Sequence, residues 1–464
     1  MIKKLNKILF KEKIFFYISI ISKKLKYKTY LIGGYVRNYF LYKKKSFDID
    51  IVTTGNSIKL AKFFAKKILS KNIFFFKRFK TAIVKYKNYN IEFVSTRKEY
   101  YNIYNNKPKV KIYKSIIEDQ NRRDFTINSI AVSLNINSYG KIIDTFNGLN
   151  DLKKKIIKTP INPNKTFYDD PLRMIRAIRF SSQLNFKLKK NLRKSIIENI
   201  DRIRIVSIER IIQEFNKILL SKKPSIGLKL MLNFGFLSII LPEFIPFKNK
   251  FKKFFYKNIF IHTLKVLDNI NTNNLWLKWA TLLQEIGKPI CRKYIRKKGW
   301  KFKLYEIVSY NMVPKIFFRL KLPLNKNMKY VQNVIFYNRF FIKIFKKKNK
   351  KYIIKKIFLK LDFKIIKDIL KLCYSNIIIN NNKKNKKKFN KLLLIIKKIK
   401  KKNIDKIKLY VNGNNIMKIL NINSCKRVGI IKNKIINLII KKKINNKNIN
   451  NTIININKKL NEKK

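Results

Sequence analysis

Apolar residues in this 464-residue chain change their spacing twice. Over residues 1–28 they recur every three or four positions, the repeat of one buried helix face. From Thr29 to about Asp151 the period shortens, and strand-like runs stand at Tyr30–Gly33, Phe47–Val52, Ala82–Tyr86, Ile91–Ser95 and Ile142–Asp144. Beyond about Thr159 a helical period returns. It begins at Asp169-Asp170-Pro171, where a capping carboxylate precedes a proline suited to the first helical turn. The pattern predicts an α+β unit followed by a mostly helical remainder. Breaks fall near Pro160–Pro163, at Pro242–Pro246, and around lysine runs near 346–351 and 383–388. Past about residue 345 the chain is low in complexity, with weak helical periodicity.

With 46% hydrophobic residues the chain has enough core-forming material for two to four compact units. Its formal net charge of +87 resembles that of a nucleic-acid binder. The chain is equally flooded with Ile, Asn, Phe and Tyr, however, and all of these residues, like Lys, have A/T-rich codons. Drift in base composition accounts for most of the lysine, so lysine runs locate no site. Arginine is the useful contrast. There are 17 arginines against 94 lysines, and 12 of the 17 precede position 211. A guanidinium kept in such a background serves where a forked, planar cation is needed. The functional half is therefore the N-terminal one. Cys291, Cys373 and Cys425 are far apart and have no metal-ligand spacing, which points to a reducing compartment. No uninterrupted apolar run approaches the roughly 18 residues a membrane helix needs. A cytoplasmic protein with no membrane partner is the expectation, and oligomeric state is not legible.

Three segments carry chemistry. In the first, Gly33-Gly34 forms a tight turn followed by Arg37, and eleven residues later come Asp48 and Asp50. Carboxylates at i and i+2 of a strand share a face, repel each other, and are relieved by a cation. Such a pair suits divalent metals that bridge a triphosphate and an attacking hydroxyl. Glu92, on a later strand, is either a third carboxylate or a plain exposed strand residue. The second segment, Glu118 to Asn128, holds Arg122-Arg123-Asp124, fit either for a surface ion pair or for clamping a phosphate. In the third, Asp170, Arg173, Arg176 and Arg179 recur every three residues along a helix and wind as one polar stripe. Leu172, Ile175, Ile178 and Phe180 make the opposite, buried face. The stripe is either a solvated basic face or a set of hydrogen-bonding groups for a base edge and its phosphates.

In order, Gly-Gly-x-Val-Arg, Asp-x-Asp, Arg-Arg-Asp-Phe-Thr-Ile-Asn, Asp-Asp-Pro-Leu-Arg-x-x-Arg-Ala-x-Arg-Phe and Ser207-Ile208-Glu209-Arg210-Ile211 resemble the motifs of class II tRNA nucleotidyltransferases. These are the CCA-adding enzymes, related to poly(A) polymerases. The resemblance implies a polymerase-β-like nucleotidyltransferase head with a small mixed sheet, then an all-helical neck, body and tail. The corresponding boundaries are 1–158, 159–245, 246–345 and 346–464. It implies that Asp48 and Asp50 bind Mg²⁺ and act with Glu92 in catalysis. Gly33, Gly34, Arg37 and Arg123 would contact the incoming nucleotide. Asp170 and Arg173 would pair with CTP or ATP, and Arg176 and Arg179 would complete the pocket. The implied partners are tRNA, CTP and ATP, and the implied reaction adds C, C and A to the tRNA 3′ end with release of pyrophosphate. Poly(A) polymerase, a CC-only or A-only enzyme, and an inactive RNA-binding remnant are the alternatives. The loop near Tyr100–Ser115 that would separate the partial activities has drifted.

The chain departs from the family in two places: Asn38 replaces an acidic residue beside Arg37, which predicts weaker orientation of that arginine, and Asp169 replaces a glutamate. Residues 258–306 resemble an HD phosphohydrolase-like domain, notably at Phe260-Ile261-His262-Thr263-Leu264. With one histidine in the chain, and Gln284-Glu285 where a His-Asp pair would stand, a hydrolase metal site is not expected there. His262 reads as a survivor, and Trp276 and Trp279 as core.

Overall fold

The structure, a computed structural model, describes residues 12–42, 46–102, 105–247, 253–296, 299–344, 350–380, 383–397, 399, 412–440 and 449–461. It forms two compact units, residues 1–245 and 246–464. The part of the N-terminal helical pattern before Glu12 lies outside the described residues.

In the first unit, helix α1 (Lys13–Lys24) leads into β1 (Thr29–Ile32), α2 (Gly34–Tyr42), β2 (Asp48–Thr53) and α3 (Ser57–Lys67). Then come β3 (Ile73–Phe76), β4 (Thr81–Tyr86) and β5 (Tyr89–Ser95), and the hairpin β6 (Arg97–Asn102) and β7 (Asn105–Ile112). Short helices α4 (Ile116–Asn121) and α5 (Thr126–Ser129) precede β8 (Ala131–Ser133) and β9 (Ile142–Ile143). The main sheet has seven strands in the order β3-β4-β5-β2-β1-β8-β9. It is mixed, because β2 runs parallel to β5 and antiparallel to β1. All five strand-like runs of the sequence are strands. The drifted segment 100–115 is largely a hairpin strand and not a loop.

Alternation on β2 separates structure from chemistry. Ile49 and Ile51, 1% and 0% exposed, point into the core, while Asp48 and Asp50 share the other face. Helix α3 lays Leu60, Ala61 and Phe64 on the apolar side, and the Phe64 and Phe93 rings meet at 5.4 Å.

After α6 (Gly148–Lys154) and β10 (Ile156–Ile157), the neck comprises α7 (Pro163–Asp169), α8 (Leu172–Leu184), β11 (Lys187–Leu188), α9 (Lys190–Asn199), α10 (Ile208–Leu219), α11 (Pro224–Phe234) and α12 (Phe236–Ile240). Asp169 closes α7, and Asp170, extended between the helices, caps α8 by accepting a hydrogen bond from Leu172 N at 3.3 Å. Leu172, Ile175, Ile178 and Phe180 of α8 are buried as expected. Its polar stripe is not a solvated face, however. Arg173 and Arg179 are 8% and 9% exposed, enclosed by other parts of this unit.

The second unit holds α13 (Lys253–Asn269), α14 (Leu275–Leu283), a hairpin of β12 (Arg292–Ile295) and β13 (Gly299–Phe302), α15 (Tyr305–Arg319), α16 (Lys326–Ile344), α17 (Lys350–Lys360), α18 (Phe363–Ile379), α19 (Lys383–Lys397), α20 (Gly413–Leu420), α21 (Lys426–Ile440) and α22 (Ile449–Asn461). The hairpin and the β10–β11 pair interrupt an otherwise helical remainder. Trp279 is fully buried, and half-buried Trp276 lies 6.0 Å from the Phe317 ring. Helix α18 ends at Ile379 and α19 starts at Lys383, so a break falls beside the lysine run at 383–388 as expected; most of the run near 346–351 lies outside the described residues. In the tail, Ile416, Val428, Ile431, Ile435, Ile449 and Ile453 form a core of their own. No helix among the described residues is long and apolar enough to cross a membrane.

Candidate active site

The parallel pairing of β2 with β5 places Glu92 directly beside Asp50. Asp48 Oδ1 accepts a hydrogen bond from Asn90 Nδ2 at 3.1 Å on the same pair of strands. Burial pushes the Asp50 carboxyl above its ordinary value; Asp48 adds to this and Arg123 opposes it. Glu92 is raised by burial and then by Asp50. Like charges held together in a partly dry site favour a cation. The donor set is hard oxygen, which fits a small divalent ion that binds one or two carboxylates and fills its remaining positions with water and substrate phosphate. Among the described residues no cluster of three or more His, Cys, Asp or Glu forms a ready-made metal cage.

Gly33 follows β1, whose Ile32 pairs with Asp50. Its φ is +82°, and a Cβ there would overlap Asp50 Oδ2 and come within 3.3 Å of Arg123 Nη1. Only glycine satisfies both demands. Gly34 begins α2, so the turn leads directly into Arg37 one helical turn on. Arg37 Nη1 donates to Asn128 Oδ1 at 2.6 Å, and its Nε and Nη2 donate to Asn38 Oδ1 at 3.1 and 2.8 Å. The expectation of weak orientation at Asn38 is therefore corrected: its amide oxygen accepts from both Nε and Nη2 of Arg37. Burial lowers Arg37 to about 10, with Asp124 opposing.

Arg122 and Arg123 both pair with Asp119, at 2.5 and 3.2 Å, and Asp119 is fully buried. The twin arginines are thus an ion pair and also a preset clamp, since both line a cavity of about 310 Å³ with Asp50 and Glu92. Six arginines and four carboxylates line this cavity, against two apolar residues, Val94 and Leu172. Asp170, Arg173 and Arg176 enter from α8, and Arg210 from α10. Arg173 Nη2 donates to Arg122 O at 2.7 Å, tying α8 to the head segment. Arg176 Nε and Nη2 both reach Asp124 Oδ2, at 2.9 and 2.6 Å. Arg176 and Asn128 hold the Asp124 carboxyl well below the usual carboxylate range despite its burial.

The structure thus brings Asp50, Glu92, Arg123, Asp170, Arg173 and Arg176 to one cavity. Gly33 touches it through Asp50. Asp48, Gly34 and Arg37 do not line it. Arg179 is directed elsewhere: its Nε lies 2.7 Å from Glu214 Oε2 on α10, in an ion pair without hydrogen-bond alignment, and its guanidinium stacks 4.1 Å from the Phe180 ring. Its place is in the neck core, because one more helical turn carries the stripe past the cavity. Sequence reasoning missed Asp119, Asp124, Asn128 and Arg210 as site residues, although all lie in the quoted segments. Arg210 Nη2 approaches Asp170 Oδ2 at 3.6 Å, closer than Arg173 Nε at 4.0 Å. An arginine retained in a lysine-rich chain was the available signal.

The fold and cavity define a mixed-sheet unit whose carboxylates and arginines face a helical segment across one polar cavity. Residues 29–158 match the poly A polymerase head domain, and residues 185–248 match the probable RNA and SrmB-binding site of polymerase A. Two segments of the chain are thus similar to the head and RNA-binding domains of polymerase A. The chain is 42% identical over 167 residues to the A-adding tRNA nucleotidyltransferase of Aquifex aeolicus, covering 36% of this chain and 20% of that one. To the CCA-adding enzyme of Pediococcus pentosaceus it is 33% identical over 259 residues, covering 55% and 61%. The matches span between a fifth and about three fifths of these relatives. The structure of the Bacillus stearothermophilus CCA-adding enzyme in complex with CTP superposes with a TM-score of 0.66 at 20% identity, over 96% of this chain and 98% of that one. At that identity the likeness is one of fold.

Proposed function

We propose that the protein adds C, C and A to the 3′ end of tRNA, taking nucleotides from CTP and ATP and releasing pyrophosphate. The observation that carries this reading is the single cavity in which the β2–β5 carboxylates face the α8 pair Asp170 and Arg173. Asp48 and Asp50 hold Mg²⁺, which when bound supplies charge neutralisation for the triphosphate and the attacking hydroxyl. The tRNA 3′-oxygen forms a bond to the α-phosphorus, and the bond from that phosphorus to the bridging oxygen of pyrophosphate breaks. Glu92, beside Asp50, faces the position where the attacking hydroxyl loses its proton. Arg123 holds a phosphate or the sugar, and Gly33, Gly34 and Arg37 shape and charge the turn next to it. Asp170 and Arg173 present an acceptor and donors to the base edge, so side chains choose between CTP and ATP. Arg176 fixes this helix to Asp124. We assign Arg179 the task of anchoring the neck behind the pocket.

The lysine-rich helices provide salt-sensitive phosphate contacts for the tRNA acceptor arm. The dispersed free cysteines are in keeping with a cytoplasmic location. A-only addition is the second reading, favoured by the 42% identity to an A-adding enzyme.

The test is incubation of the full chain with tRNA lacking its 3′ end, in Mg²⁺, with CTP alone, ATP alone, or both. Two C followed by one A supports the proposal. Incorporation of A onto a CC end with no use of CTP selects the A-only reading, long A tails select a poly(A) polymerase, and no incorporation leaves an RNA-binding remnant. Asp48→Ala should lower the rate by on the order of 1000-fold or more. Arg173→Ala should blur the choice between CTP and ATP, and unchanged fidelity in that variant overturns the base-pairing role.

A further inference from the structure

In the second unit, α13, the end of α14, α15, α16 and α18 enclose a polar cavity of about 320 Å³. It adjoins a second cavity of about 460 Å³, and the two share Lys288, Tyr305 and Arg339 in their walls. The deeper cavity is built from buried amides. Gln284, 4% exposed, accepts at Oε1 from Asn338 Nδ2 at 2.8 Å and from Asn376 Nδ2 at 3.1 Å. Those two bonds fix the orientation of the Gln284 amide and direct its Nε2 elsewhere. Gln284 Nε2 is buried without a hydrogen-bond partner, and so are Arg339 Nε and His262 Nε2.

The carboxylate in this cavity is already engaged. Glu285 Oε1 accepts from Lys288 Nζ at 2.6 Å, and Glu285 Oε2 pairs with His262 Nδ1 at 3.3 Å. The Lys288 ammonium therefore balances the carboxylate that a metal would otherwise claim. What remains is an excess of donors beside the Arg339 guanidinium, with Lys301 and Lys303 further out in the adjoining cavity. Buried donors left without acceptors are costly and call for an explanation. A ligand rich in anionic oxygens satisfies the Gln284 Nε2 and Arg339 Nε donors together, and a hydroxyl on its organic part suits His262 Nε2, the accepting nitrogen when Nδ1 donates to Glu285. The combined volume exceeds what an inorganic ion fills and falls in the range of small organic ligands. Trp300 and Phe302 in the outer wall offer flat apolar surface to the organic part.

We propose that this cavity binds a small phosphorylated molecule, of the size of a nucleoside monophosphate, at a site separate from the nucleotide cavity of the head. The three tryptophans, Trp276, Trp279 and Trp300, all belong to the second unit, so tryptophan emission reports on it and not on the head. The full chain is titrated with AMP, with inorganic phosphate, with sodium chloride at matched ionic strength, and with a short oligoribonucleotide lacking terminal phosphates. A saturating change with AMP below roughly 1 mM, absent with chloride, is the expected result. Arg339→Gln should weaken it by about tenfold or more, the loss of one charge-assisted hydrogen bond. Lys303→Gln, at an exposed position, should weaken it several-fold without disturbing the fold. Both variants should add nucleotides to tRNA at the unaltered rate. Saturation by inorganic phosphate also supports the proposal and identifies the phosphate as the group read. A non-saturating response to AMP, equal affinity in both variants, or saturation by the oligoribonucleotide alone overturns it.

Discussion

Asp50 shows how little freedom a single residue has in this site. It is pressed between Gly33, whose positive φ and missing Cβ make room for Oδ2, and Glu92 in the register position beside it. Gly33→Ala should therefore act twice, by straining the backbone and by displacing the carboxylate. The expected outcome is a loss of about 1–2 kcal/mol in denaturant stability. Nucleotide addition should fall by on the order of 100-fold, because small displacements of catalytic groups are costly. An alanine variant with normal turnover would show that Asp50 does not need this contact. Gly33, Asp50, Arg123, Asp170, Arg173 and Arg176 were legible in the sequence, since each residue type answers a chemical demand. Asp119 and Asn128 were not, because a buried acid and a buried amide look like any others until their partners fold against them.

Between elements, the decisive link is the one from the head to α8. Asp124 follows α4 and meets Arg176 half-way along α8 in a two-pronged contact, while Asn128 joins Asp124 to Arg37. Asp124→Asn leaves a guanidinium short of its counter-charge. With the Arg176 side chain about one third exposed, the cost should be about 2 kcal/mol, below the figure for a fully buried pair. The folded Asp124 carboxyl lies below its unfolded value, so this stabilisation is complete above about pH 4 and disappears as the pH falls further. Urea denaturation of the two proteins should therefore differ by a constant amount at neutral pH and begin to converge as the pH falls below about 4, and an undiminished gap at about pH 2.5 would refute the ion-pair account. At this scale the sequence revealed α8 and its buried face. It also revealed β2 and β5, which have clear apolar alternation. It did not reveal β3, where Phe74, Phe75 and Phe76 remain exposed on an edge, or β8, three residues long and buried throughout. Neither strand has the alternation that marks a half-buried one.

For the molecule as a whole, the second unit is organised by burial and not by charge, despite its many lysines. Lys278 of α14, 4% exposed, donates to Leu267 O and Ile270 O at 2.8 Å each, at the end of α13. Burial lowers its ammonium to about 8. Between about pH 8 and the ordinary lysine value the unfolded chain binds the extra proton, so the stability of this unit should rise with pH over that window. Lys278→Met should flatten the rise, as read from tryptophan emission during denaturation. A rise of equal slope in both proteins would place its origin elsewhere. The tail shows the same rule: an isoleucine core assembles from a stretch that, as sequence, has only weak helical periodicity.

The sequence by itself determined the class of chemistry. Turn glycines, paired carboxylates and spaced arginines are requirements of atoms at short range, and they survive in order along the chain. Tertiary structure decided which of these groups share a cavity. It moved Arg179 into the neck and brought Arg210 to Asp170. It also left a donor-rich cavity around Gln284, Glu285 and His262. Those outcomes depend on which surfaces pack against each other, and spacing along the chain does not encode that.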